Sequence, residues 1–92
     1  MISPEEVEQV LHSNPAIEEA AVIGINDENW GERVVAVVVT KGNMDINQQA
    51  LIEYCRKHLA SFKNPELVVF VDALPRNALG KVLKRVLREQ YS

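Results

Sequence analysis

From Pro75 to Arg88 the chain reads Pro-Arg-Asn-Ala-Leu-Gly-Lys-Val-Leu-Lys-Arg-Val-Leu-Arg, and this stretch constrains the architecture more than any other. Pro75 ends whatever precedes it, and Gly80 gives the backbone the freedom to deliver Lys81 to a loop–helix junction. From Lys81 onward Val82, Leu83, Val86 and Leu87 repeat with helical spacing, while Lys81, Lys84, Arg85 and Arg88 recur three and four residues apart on another face. The expected product is a closing helix with one anchoring stripe and one cationic stripe, entered by a lysine aimed outward. A solvated charged face is the plain alternative.

Charge is unevenly distributed along the sequence. Every charged side chain before Arg33 is acidic, whereas residues 76–88 contain no acid, so an anionic ligand would be met at the C-terminal end. With 92 residues, 47% hydrophobic and 25% charged, the chain is expected to form one soluble globular domain, a module too small to be an enzyme with its own buried pocket. The longest apolar run, Val34 to Val39, is too short to span a bilayer, and no signal peptide is visible. Cys55 stands alone and no His/Cys cluster has metal-ligand spacing, which predicts no internal disulfide, no metal site and a reducing cytoplasm.

Ser3-Pro4-Glu5-Glu6-Val7 carries the marks of a helix start. Ser3 can cap, Pro4 suits the first helical position, Glu6 completes a capping box, and Ile2 with Val7 has staple spacing. Val7, Val10 and Leu11 give this helix its buried face, and Asn14-Pro15 stops it. A chain that begins almost on a helix cap is expected to be a piece of a longer protein. Ile17 to Ile25 and Val34 to Thr40 read as two buried strands joined by a polar loop, residues 26–32, in which Trp30 either covers an edge of the core or stacks on a ligand. A second helix should start near Asp45 or Asn47 and run to about Ser61, burying Leu51, Ile52, Cys55 and Leu59. Cys55 is expected to be a buried, unactivated thiol. His12 and His58, near helix ends, suit solvated or capping roles. After Pro65, Leu67 to Val71 makes a third strand. The predicted order is helix, strand, strand, helix, strand, helix: a small α+β domain, 1–92, with a three-stranded sheet packed by helices.

Read from end to end, the sequence resembles the C-terminal domain of the adenylate-forming superfamily, which includes acyl-CoA synthetases, peptide-synthetase adenylation domains and luciferases. The motifs that carry the resemblance are Ile2-x-Pro4-x-Glu6-Val7-Glu8, Asn14-Pro15, Glu19 to Gly24, Asp27-Glu28, Trp30-Gly31-Glu32, Leu59-Ala60, Phe62-Lys63-x-Pro65, Phe70-Val71, Leu74-Pro75-Arg76 and Gly80-Lys81. The Pro-Arg-Asn form and the basic closing helix are most similar to fatty or aryl acyl-CoA synthetases.

The resemblance implies a mobile cap working with a large N-terminal domain of the same parent chain, which would hold the carboxylic acid and ATP with its Mg2+. The isolated domain is then expected to be inactive. In the first half-reaction a carboxylate attacks the α-phosphate of ATP, and Lys81, following Gly80, would reach over that site; in the second, the thiol of coenzyme A displaces AMP from another face. By resemblance, Trp30 and Phe62 would flank the coenzyme A adenine and Lys63 would meet phosphate, although Asn64 and Glu66 depart from the basic residues of those relatives. Lys84, Arg85 and Arg88 are assigned to the domain interface or to solvent. Other readings are a peptide-synthetase domain loading a carrier protein, or a stand-alone interaction module. Nucleic-acid binding is disfavoured by the overall charge of −3 and the sparse aromatics.

Overall fold

Val34 to Val38 is buried at every position, which a strand can sustain only when both of its faces are covered. The computed structural model, which describes residues 3–29, 31–42, 45–59 and 64–91, shows how. The elements are α1 (Pro4–His12), β1 (Ile17–Asp27), β2 (Gly31–Thr40), α2 (Gln48–His58), β3 (Leu67–Phe70) and α3 (Lys84–Tyr91). This is the expected order, and the domain is α+β. β2 lies in the middle of the sheet, antiparallel to β1 and parallel to β3. The parallel pair requires a crossover, which contains α2.

Residue alternation along the strands divides the core in two. Ala20, Val22, Ala36 and Val38 face α1 and α2, where Val7, Leu11, Leu51 and Cys55 are fully buried. Ala21, Ile23, Val35 and Val37 face the other way, beneath Leu74 and Leu87. The pairings Val22↔Ala36 and Ile23↔Val35 keep each set on one side, so a slip of one residue would exchange the two faces. Burying a leucine such as Leu11 or Leu51 contributes about 2 kcal/mol, the main gain that holds helices of 9 and 11 residues to the sheet. Burial pushes the Cys55 thiol up to about 11, as expected of an unactivated cysteine.

Several boundaries differ from expectation. The polar loop over residues 26–32 is mostly strand, because β1 and β2 stay paired out to Asp27↔Gly31 and leave only residues 28–30 between them. Polarity there marks a ladder projecting beyond the core, and Gly31, at φ +84, takes the left-handed position that closes the turn. α2 stops at His58, since Leu59 is already extended.

The largest correction concerns residues 81–83, which are not helical. Val82 forms an antiparallel bridge with Arg76, and the Leu83 N–H donates to the Pro75 carbonyl at 2.8 Å, so α3 starts only at Lys84. The apolar spacing of Val82, Leu83, Val86 and Leu87 is met by an extended arm followed by a helix.

The helix caps were half anticipated. Asn47 caps α2 through its side chain, accepting from the Ala50 N–H at 2.8 Å. Ser3 occupies the N-cap position of α1 without a side-chain cap, its hydroxyl lying 3.5 Å from a Glu5 carboxylate oxygen. Ile2, the other half of the staple, lies outside the described residues. Asn47→Ala is therefore expected to cost about 1 kcal/mol in urea unfolding and Ser3→Ala only a few tenths. The reverse ranking would contradict these cap geometries.

Candidate functional site

The signature stretch folds as a tight hairpin between β3 and α3, and one side chain organises it. Asn77 Oδ1 accepts from the N–H groups of Leu79 (2.9 Å) and Lys81 (3.0 Å). The Asn77 N–H donates to the Lys81 carbonyl, and the Asn77 carbonyl accepts from the Gly80 N–H, both at 3.0 Å. Closing this turn needs a left-handed residue, supplied by Gly80 at φ +87. Arg76 completes the frame: Nη1 donates to the Gly80 carbonyl at 2.5 Å, while Nη2 pairs with Glu19 on β1.

The frame fixes the backbone of Lys81 and leaves its side chain exposed. Among the described residues no carboxylate lies within ion-pair distance of its amine. Lys81, Val82, Leu83, Lys84, Arg85 and Arg88 line an open depression of about 470 Å³, so the hairpin and the first turns of α3 present one cationic surface. Not every cation is available to a ligand. Lys84 Nζ bonds Glu8 of α1 at 2.8 Å, across the edge of β1, and the same Glu8 oxygen accepts from the Val22 N–H at 2.7 Å. This contact ties α3 to α1 and blocks the outward edge of β1. Lys84, expected at an interface or in solvent, instead acts within the fold. Arg85 has a salt bridge to Glu89 at 3.3 Å, both well exposed.

Of the residues singled out from sequence, Gly80 and Lys81 stand together in this hairpin. Trp30, Phe62 and Lys63 lie outside the described residues. Elsewhere, Glu66 pairs with Arg33 at 3.1 Å, and Asn64, Glu66, Pro65, Gln49, Ile52 and Arg56 line a second depression of about 400 Å³. Sequence reasoning missed Asn77 and the Arg76–Glu19 contact. An Asn three residues before a Gly is a readable turn signal, but nothing local joins Glu19 to Arg76.

Residues 6–81 match the AMP-binding enzyme C-terminal domain, and the chain belongs to that family. It is 48% identical over 91 residues to the long-chain-fatty-acid–CoA ligase FadD13 of Mycobacterium tuberculosis, covering 99% of this chain and 18% of that protein. It superposes on ATP-bound MatB of Rhodopseudomonas palustris with a TM-score of 0.94 at 42% identity, covering 98% of this chain and 18% of that one. A double mutant of o-succinylbenzoate CoA synthetase from Bacillus subtilis, bound to its product analogue, matches with a TM-score of 0.87 at 40% identity, covering 96% and 18%. The chain thus spans about 18% of the length of these relatives.

Proposed function

We propose that this chain is the C-terminal cap of an AMP-forming acyl-CoA ligase and that Lys81 is its catalytic residue in acyl-adenylate formation. The observation that carries this reading is the hairpin, which pins the Lys81 backbone and leaves its amine exposed and unpaired among the described residues. A carboxylate oxygen attacks the α-phosphorus of ATP, and pyrophosphate leaves with the electrons of the broken P–O bond. Negative charge on both reactants crowds as they meet, and the compact Lys81 ammonium offsets it without transferring a proton. Thioester formation then follows on another face, as the coenzyme A sulfur attacks the acyl carbonyl and AMP departs.

The remaining assignments belong to the same proposal. Carboxylic acid, ATP and Mg2+ are held by a larger N-terminal domain of the parent chain. Trp30 and Phe62 stack against the coenzyme A adenine, and Lys63 meets a phosphate. Glu66, where some relatives are basic, is instead paired with Arg33. Two of the relatives described above are coenzyme A ligases or synthetases by name, which favours coenzyme A over a carrier protein as the acceptor.

The isolated domain is expected to fold cooperatively, because both of its cores lie within the chain, and to release no pyrophosphate from ATP and magnesium with any of a panel of carboxylic acids. The full-length protein should form AMP and a coenzyme A thioester with at least one of them. Pyrophosphate release by the domain alone, or no thioester from the full-length protein with any acid, would overturn the proposal.

A further inference from the structure

Lys81 is held by its backbone rather than by its side chain, so whatever fixes that backbone sets the approach of the amine. The peptide unit joining Gly80 to Lys81 is bonded at both ends, its carbonyl to Arg76 Nη1 at 2.5 Å and its N–H to Asn77 Oδ1 at 3.0 Å. Asn77 is local to the turn. Arg76 reaches outside it, because its other terminal nitrogen pairs with Glu19, 57 residues earlier on β1. Glu19 itself is backbone-paired with Val39 of the central strand, so the rigid sheet is connected to the Gly80 carbonyl through one carboxylate and one guanidinium.

We infer that Glu19 and Arg76 are positioning residues for the adenylation half-reaction, transmitting the placement of the sheet to the Gly80–Lys81 peptide. This rests on the reading of Lys81 above. Guanidinium suits the role: its planar fork engages the Glu19 carboxylate and the Gly80 carbonyl from separate nitrogens, whereas the single ammonium of a lysine is a point donor. The pair is partly exposed, with side-chain accessibilities of 42% and 30%, and such pairs add little to stability. Its value lies in geometry, and misplacement of a catalytic group by about an ångström can cost about a hundredfold in rate.

The test uses the full-length protein, with acyl-AMP formation and thioester formation from supplied acyl-AMP measured separately beside the melting temperature. Arg76→Ala is expected to slow acyl-AMP formation about tenfold or more, and Glu19→Gln about threefold to tenfold, with thioester formation and melting temperature nearly unchanged. Arg76→Lys should recover only part of the loss. The double variant Glu19→Gln/Arg76→Ala should be no slower than Arg76→Ala alone, because the two residues act in series. Additive losses, equal losses in both half-reactions, or full-rate adenylation in both single variants would overturn the inference. Lys81→Ala, run in parallel, separates the two claims: if it slows adenylation while Arg76→Ala and Glu19→Gln do not, only the positioning role falls, and if it has no effect the assignment of Lys81 itself falls.

Discussion

Replacing Lys81 with alanine in the full-length protein is expected to slow acyl-CoA formation from acid, ATP and coenzyme A by about a hundredfold or more. Removing a positioned charge from a developing phosphoryl transition state costs about 3 kcal/mol, and each 1.4 kcal/mol is about tenfold in rate. The fold has no stake in this side chain. Lys81 is exposed, lies outside α3 and contributes to the hairpin only through its N–H and carbonyl, both of which alanine keeps. The melting temperature should therefore stay within a degree or two, about the size of experimental error for a change worth a few tenths of a kcal/mol. Lys81→Arg should restore only part of the rate, since a planar guanidinium does not occupy the space of a compact ammonium. A full-rate Lys81→Ala protein would remove the basis for the catalytic assignment.

Leu87→Ala is the complementary case, with a large effect on stability. Leu87 is 1% exposed and is the fully buried side chain of α3, packed in the cluster of Ala21, Ile23, Val35, Val37 and Leu74. Truncating a buried leucine removes its transfer free energy and leaves a cavity, together about 3 kcal/mol. Against the roughly 5–15 kcal/mol by which a domain is stable, that should lower the urea midpoint of the isolated domain clearly. α3 should be the element most loosened, with Lys84 withdrawn from Glu8. Leu79→Ala is the control: Leu79 is 94% exposed at the hairpin tip, and its truncation should shift stability by less than about 0.5 kcal/mol. Equal midpoints for the two variants would mean that α3 is not docked through Leu87.

What could be read from sequence was whatever depends on burial. The valine run fixed the central strand, and the spacings of Val7 with Leu11 and of Leu51 with Cys55 gave two helices the correct faces. Together with the element order this was enough for the architecture. The errors fall where hydrogen-bonding partners decide the outcome. Residues 26–32 read as loop because most of their side chains are polar, yet strand pairing needs only backbone, and the hairpin extends beyond the core. Residues 81–83 had helical spacing, but the carbonyl of Pro75 and the bridge to Arg76 offered an extended alternative. Ser3 had the right identity for a cap and makes another contact.

The site was legible in part for the same reason. Gly80 and Lys81 were visible as a local motif. The uneven charge pattern was visible too, but its consequence was not. Part of the C-terminal positive charge is matched internally by N-terminal acids, Arg76 by Glu19 and Lys84 by Glu8. Those pairs join residues far apart in sequence, whereas Lys81 has no carboxylate partner among the described residues.

The central claim is that Lys81 serves one half-reaction and not the other, and separate rate measurements on Lys81→Ala address it directly. Acyl-AMP formation, followed as pyrophosphate release in the absence of coenzyme A, should fall about a hundredfold or more relative to the unmodified protein. Thioester formation from supplied acyl-AMP and coenzyme A should remain within a few-fold, because a different face of the domain is then presented. Equal loss in both steps, or loss confined to the thioester step, would contradict the assignment.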